Sequence, residues 1–382
     1  MISIEDMGIL ADDLTGACDV AASFTSLGRP VGVYVRGPTL NPGGSSPVVI
    51  NTQSRILSFD ACREVNYTCA APLKNQRILL NKVDSSLRGR VTAEIRGIAD
   101  AVLPNRIIVV PSIPAIGRTV RNGVLYDNGT PAHNSALGLD PLTPLPDSSV
   151  SNLLQGLSDL EIEIADAESN DEIEVIIERT IRSGKILYVG SLGIAEALAR
   201  RMGRNGELHT ASFKKDSFCN GVPKILIVSG SSYEATRRQL EKARDFFDTD
   251  LLELSDTTDP FDLKSIPRNS SLRMLSLRTM PYTKRRTSKA FANIHRFIKL
   301  IIERYRPDGL GVIGGETAYH IFTSLKVSHV QIFGRLTEVM PYGKFTDGRL
   351  AGKRFITKGG SVGNEDSLIE MINFLQGRHF EI

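Results

Sequence analysis

The sequence predicts an α/β protein built as two α/β domains with mainly parallel sheets and a cleft between them, not a standard P-loop or Rossmann fold. Three observations carry that prediction. Short apolar, β-branched runs recur and end in small or polar residues, stretches of helical length alternate with them, and the periodicity breaks once near the middle. Continuous apolar strands suit a sheet covered by helices on both faces better than a half-exposed antiparallel one.

In the first half the strand-like runs are MGILADD (7–13), PVGVYV (30–35), VVINTQS (48–54), RILLNKVDSS (77–86), RIIVVPS (106–112), EIEIADA (161–167) and KILYVGS (185–191). Helical periods fall at 60–73, 91–103, 170–183 and 192–203. Over 202–224 Gly, Ser, Lys and Asn displace the pattern, as at an interdomain connection. A second series follows: KILIVSG (224–230), LLELS (251–255), RMLSLRT (273–279), DGLGVIGG (308–315), HVQIFGRL (329–336) and RFITKGG (354–360). The expected domains are therefore 1–210 and 222–382, a division that fits a chain of 382 residues with 41% hydrophobic content. The basic stretch 283–305 reads as the solvated face of an amphipathic helix.

Composition narrows the function. With 46 basic and 43 acidic residues interspersed along the chain, the formal charge is +3, and no basic arm announces a nucleic acid partner. Cys18, Cys62, Cys69 and Cys219 show no metal or redox spacing and read as free thiols of a reducing compartment. The first residues carry acids and no basic region ahead of a long apolar run, and no stretch reaches the ~18 apolar residues of a membrane span. A cytoplasmic protein with no membrane partner is expected, and a homo-oligomer is left open.

In open α/β sheets ligands bind beyond the carboxyl ends of strands. The first such place, ADDLTGACDV, sets Asp12 and Asp13 side by side before Thr15 and Gly16. One carboxylate or Thr15 suffices to cap a helix, so the other acid is available to take a hydroxyl proton or hold a cation. The second, NKVDSSLRGR, places Lys82, Asp84, Ser85, Ser86, Arg88 and Arg90 just after an apolar strand. An Arg fork matches a carboxylate, while Ser and Asp fix hydroxyls, so this loop suits a small hydroxy acid. The third, PSIPAIGRTVRNGVLYDNG, is a loop shaped by Pro and Gly, with Arg118 as a further anion-binding candidate. His133 reads as a surface histidine.

The second half holds three turns from a strand through small residues towards a helix. They are Ser229, Gly230 and Ser231; then Gly314, Gly315, Glu316 and Thr317; then Lys358, Gly359 and Gly360. Bare N–H groups at such turns cradle phosphates, and three in one domain point to a polyphosphate. No GxxxxGK[ST] or HExxH occurs in support of P-loop or zinc hydrolase readings. Acids and cations in one half with anion turns in the other suggest phosphoryl transfer from a nucleotide to a hydroxyl, which needs alignment, Mg²⁺ and a carboxylate to orient the acceptor.

ADDLTGACDVA, KVDSSLRGR, PSIPAIGRT, VGSLGIAEAL, VSGSSYEAT, IGGETA and TKGGSVGNEDSL stand in the same order as in the four-carbon acid sugar kinases, which the chain resembles over essentially its whole length. The resemblance implies an N-terminal domain for the sugar acid and a C-terminal domain for ATP. It implies that threonate, erythronate or 3-oxo-tetronate becomes the 4-phosphate, with ATP and Mg²⁺ as cofactors. By motif, Asp12 and Asp13 would face the acceptor, with Asp13 the preferred base. Lys82, Asp84, Ser85, Arg88 and Arg118 would hold the acid, and the three glycine turns would surround ATP. One departure is visible: members often carry Lys-Ser-Gly-Gly-Phe-Gly near the end, where this chain has Lys358-Gly359-Gly360-Ser361-Val362-Gly363 without an aromatic residue. Two other readings remain: a non-catalytic two-domain sensor of sugar acids, and a transferase or synthase whose substrate phosphate occupies the glycine turns.

Overall fold

The computed structural model describes residues 4–37, 47–135, 137–138, 144–203, 223–253, 271–277 and 298–378. The break over 204–222, Cys219 and the basic segment as far as residue 297 lie outside them. The chain divides into two compact units, Met1–Ala211 and Ser212–Ile382.

Unit 1 contains β1 (Met7–Ala11), α1 (Leu14–Phe24), β2 (Val31–Tyr34), β3 (Val48–Asn51), α2 (Phe59–Ala70), β4 (Ile78–Lys82), α3 (Val91–Val102) and β5 (Arg106–Val110). It continues with β6 (Arg118–Arg121), β7 (Val124–Asp127), β8 (Thr130–Pro131), α4 (Val150–Leu153), β9 (Ile162–Ile164), α5 (Asn170–Thr180), β10 (Ile186–Gly190) and α6 (Leu192–Gly203). The main sheet runs β2-β3-β1-β4-β10-β5-β9, parallel throughout. Alternate strand residues face opposite ways, so Leu10, Leu79, Ile107, Leu187 and Val189 join α2 and α3 in one apolar core. The other face is covered by α1, α5 and α6, which pack side by side, and there the Thr180 and Tyr188 hydroxyls bond at 2.8 Å. Each Val, Leu or Ile buried this way contributes roughly 1.5–3 kcal/mol of transfer free energy.

Chain order places the functional end. From β1 the chain builds β2 and β3 on one side, then crosses to β4 on the other, so the strand order reverses at β1. Crossovers leaving a strand in opposite directions open a crevice beyond its carboxyl end. Asn51, Ala11, Lys82, Gly190 and Val110 stand in one register row there, and the residues after them share one edge.

Unit 2 repeats the logic with β11 (Ile225–Ser229), α7 (Glu234–Phe247), β12 (Leu251–Glu253), β13 (Leu272–Ser276), β14 (Gly309–Ile313), α8 (Gly315–Ser324), β15 (His329–Arg335), β16 (Pro341–Phe345), β17 (Arg354–Lys358) and α9 (Ser367–Leu375). The order β12-β13-β11-β14-β17-β16-β15 reverses at β11, and Ser276, Ser229, Ile313 and Lys358 align in register. The last two strands are antiparallel, with β16 joining β15 to β17. Two features differ from the sequence reading. β16 begins with a proline and alternates rather than running apolar, and the Pro/Gly-shaped loop after β5 contains the antiparallel sheet β6-β7-β8.

Candidate active site

Beyond β1, Asp13 holds an extended backbone and caps α1: its Oδ1 accepts the Gly16 N–H at 2.6 Å and the Thr15 hydroxyl at 3.3 Å. Of the candidates the sequence leaves for the cap, the structure selects Asp13. Its second oxygen is not spent on the helix, and Oδ2 lies 2.7 Å from Arg55 Nη1. Asp12, whose side chain is 0% exposed, receives a fork from the same guanidinium, Nε to Oδ2 at 2.7 Å and Nη2 to Oδ1 at 2.8 Å. Burial pushes the Asp12 carboxyl above its usual value even against the attraction of Arg55.

The loop after β4 delivers the remaining candidates to this edge. Lys82 Nζ donates to the Val83 carbonyl at 2.7 Å and stands beside Gly16, where a Cβ would come within 3.2 Å of it. Asp84 accepts a fork from Arg88 at 2.8 and 2.7 Å, the Ser86 N–H at 3.1 Å and the Ser86 hydroxyl. Burial alone would raise the Asp84 carboxyl, but Arg88, its hydrogen bonds and Arg55 together hold it well below the usual range. Arg118, from the start of β6, donates to the Ser85 hydroxyl and keeps Asp127 3.7 Å from its Nε. The sequence-predicted residues thus converge. Arg88 and Asp84 are engaged with each other, however, and part of the cationic charge expected for an acid organises the loop itself.

Two residues that the sequence reading passed over complete the cluster. Arg55 follows β3 on a segment that turns through Gln53 at φ 51°. Gly89, at φ 102°, lets the 84–90 loop lie against it, since a Cβ there would sit 3.0 Å from the Arg55 carbonyl oxygen. Glu94, fully buried on α3, has Asn81 Nδ2 donating to Oε2 at 3.2 Å and Ser54 Oγ 3.3 Å from Oε1. Burial, then the Asp12 charge, pushes Glu94 up to about 8. Arg55 carries no local signal, being a lone arginine after a strand. Glu94 interrupts the apolar stripe of Val91, Ile95, Ile98 and Val102, a visible sign of a functional or networked acid.

In unit 2 the three glycine turns meet at the carboxyl ends of adjacent β11, β14 and β17. Gly230 N–H donates to Ile313 and Gly314 N–H to Lys358, tying the turns together at 3.0 and 2.9 Å. At Gly230 a Cβ would come 1.9 Å from Thr317 Oγ1, and Gly314 takes φ 105° at the start of α8. The last turn is fastened to α7: Thr236 donates to the Gly360 carbonyl at 2.6 Å and Gln239 to the Asn364 carbonyl at 2.8 Å. Lys358 is completely buried. Its ammonium donates to the Gly359 and Val362 carbonyls at 2.9 and 2.7 Å, and burial lowers it to about 8. Glu316 faces His320 across one helical turn at 3.4 Å.

The two strand edges thus gather a charged, polar cluster in unit 1 and three glycine turns in unit 2. Residues 7–163 match a family model described as a sugar-binding N-terminal domain, and 226–368 match a nucleotide-binding C-terminal domain. The chain is 27% identical to a D-threonate kinase of Bordetella bronchiseptica, over 98% of both chains. It is 24% identical to a D-threonate kinase of Salmonella typhimurium, over 97% of this chain and 98% of that one. It is also 24% identical to a D-erythronate kinase of Heliobacterium modesticaldum, over 96% of each. In fold it resembles a Salmonella typhimurium LT2 structure provisionally called a tRNA synthase, with TM-score 0.75, 19% identity and coverage of 95% of this chain and 98% of that one. The chain belongs to the four-carbon acid sugar kinase family.

Proposed function

We propose that this protein transfers the γ-phosphoryl group of MgATP to the terminal, 4-hydroxyl of a four-carbon sugar acid. Threonate, erythronate and 3-oxo-tetronate are the acceptors to test, following the activities named for its relatives. The observation that carries the reading is the division of chemistry between the two strand edges. Unit 1 gathers Asp12, Asp13, Arg55, Lys82, Ser85 and Arg118, whereas unit 2 gathers three glycine turns.

Asp13 is the base in this proposal. Its Oδ1 is fixed by the Gly16 N–H and its Oδ2 by Arg55, so the carboxylate has a set direction from which to accept the acceptor hydroxyl's hydrogen. Asp12 has both oxygens forked by Arg55 and serves to hold that guanidinium. Lys82, Ser85 and Arg118, with the Asp84–Arg88 pair behind them, bind the acid's carboxylate and inner hydroxyls. The turns Ser229–Ser231, Gly314–Thr317 and Gly359–Gly360 surround the triphosphate, with the first N–H groups of α8, Gly315 to Thr317, turned to bind it, and Mg²⁺ arrives with the nucleotide to neutralise charge on the transferring group. Buried Lys358 shapes the last turn through its carbonyl bonds.

Incubation with MgATP and a panel of four-carbon sugar acids tests the proposal: ADP release that depends on one of the acids supports it, and none from folded protein refutes it. A second measurement isolates the nucleotide site. In Gly230→Val the new side chain collides with Thr317, and affinity for a non-hydrolysable ATP analogue, read by calorimetry, is expected to fall about tenfold or more, ~1.4 kcal/mol. Binding of the sugar acid to unit 1 should be unchanged.

A further inference from the structure

Behind the acid cluster runs a row of buried oxygens. Glu94 Oε1 lies 3.3 Å from Ser54 Oγ, Ser54 Oγ lies 2.9 Å from Thr52 Oγ1, and the Thr52 hydroxyl donates to the Ala11 carbonyl at 3.0 Å. Ala11 forms the peptide bond to Asp12, and Ser54 directly precedes Arg55. The row contains three links, but its two hydroxyls bring only two hydrogens. With the Thr52 hydrogen on Ala11, the single Ser54 hydrogen serves either Thr52 or Glu94, and both links close together only when Glu94 brings a hydrogen of its own. The other carboxyl oxygen already plays the carbonyl part, accepting from Asn81 Nδ2 at 3.2 Å.

We propose that Glu94 is a positioning residue of the sugar-acid site, held as the neutral acid and donating its proton to Ser54, so that the 52–55 segment presents Arg55 to Asp12 and Asp13. This deepens the kinase reading and rests on it for the identity of the ligand. Among the influences on Glu94, burial and the Asp12 charge favour a proton there and outweigh Arg55, which opposes it. Asp12 lies on the β1 side, Arg55 follows β3 and Cys62 approaches from α2, with Lys82 at the end of β4 acting on Asp12. Arg55 already forks both oxygens of Asp12, so of the two buried carboxyls Glu94 is the one that keeps the proton. Deprotonating Glu94 breaks a link of the row and adds a negative charge behind a site built for an anion, so acid affinity weakens as pH rises.

The test measures affinity for threonate, erythronate and 3-oxo-tetronate by calorimetry from pH 7 to 9, without nucleotide so that Lys358 plays no part. With Glu94 titrating near 8, wild-type affinity is expected to fall about tenfold over that range, the equivalent of one pKa unit. Glu94→Gln keeps both links, its amide donating to Ser54 and its carbonyl accepting from Asn81, so its affinity should stay flat. Stability supplies a reading without ligand. A carboxyl raised from 4.5 to about 8 on folding stabilises fully below 4.5, and the contribution is lost as pH rises to 8. The melting temperature of Glu94→Gln should therefore gain on wild type between those values and run parallel above them. Flat wild-type affinity, or the same slope in Glu94→Gln, overturns the proposal. Should that variant fail to fold, carboxyl NMR of glutamate-labelled wild type decides, and no glutamate titrating near 8 overturns it. If none of the acids binds at any pH, the kinase reading falls while the NMR still judges Glu94.

Discussion

Replacing Arg55 by methionine is expected to cost about 3 kcal/mol of stability and to abolish detectable phosphoryl transfer. The guanidinium contacts three carboxylate oxygens, two on Asp12 and one on Asp13, and Asp12 is completely shielded from water. Removing one partner of a buried ion pair costs roughly 3–5 kcal/mol because the remaining charge stays buried. The lower end applies here, since 21% of the Arg55 side chain is exposed. The loss has a defined pH dependence. Burial already raises Asp12, and without Arg55 it rises further, so the folded state favours the protonated acid. Stability from that proton is present below the unfolded carboxylate's pKa and is lost as pH rises through the folded one. The deficit against wild type, measured by denaturant unfolding, should therefore be largest near neutrality and shrink towards pH 4. Arg55→Lys should rescue little, because an ammonium cannot reproduce a fork across two carboxylates.

Asp13→Asn separates cap from chemistry. Asparagine caps a helix about as well as aspartate, so the Gly16 N–H keeps an acceptor and α1 keeps its start. What is lost is the carboxylate that receives the acceptor hydroxyl's hydrogen, a contribution of about 10²–10⁴ in rate. The expected result is a kcat lower by that factor with KM for the sugar acid changed little, and a modestly lower melting temperature because the amide nitrogen in place of Oδ2 cannot accept from Arg55. A loss confined to KM would assign Asp13 to acid binding instead.

Much of the fold was legible because parallel strands buried on both faces leave continuous apolar runs. β1, β4, β5, β10, β11 and β14 all stand where such runs predict them. Strands that obey another rule were missed. β6 and β7, and β7 and β8, are joined through Asn122-Gly123 and Asn128-Gly129, each pair in the left-handed conformation of tight hairpin turns. The Asn-Gly pairs are visible in the sequence, but the alternation flanking them is too short to mark strands. The site divides along similar lines. Asp12, Asp13, the 82–88 cluster and the glycine turns declare themselves by following apolar strands. Arg55 reaches the carboxylates only through the pairing of β3 with β1, a long-range fact no local pattern encodes. The internal pairing of Asp84 with Arg88 was likewise hidden, since the same residues fit a ligand equally well until their mutual geometry is known.

Position-specific analysis of the product is the most direct measurement. The acid that elicits ADP release is incubated with MgATP, and the product is examined by phosphorus NMR without proton decoupling. Transfer to the terminal hydroxyl predicts an ester on a CH₂ carbon, a triplet that grows one for one with ADP and is absent for Asp13→Asn over the same time. A doublet from an inner carbinol, inorganic phosphate alone, or no phosphorylated product with any four-carbon sugar acid would contradict it.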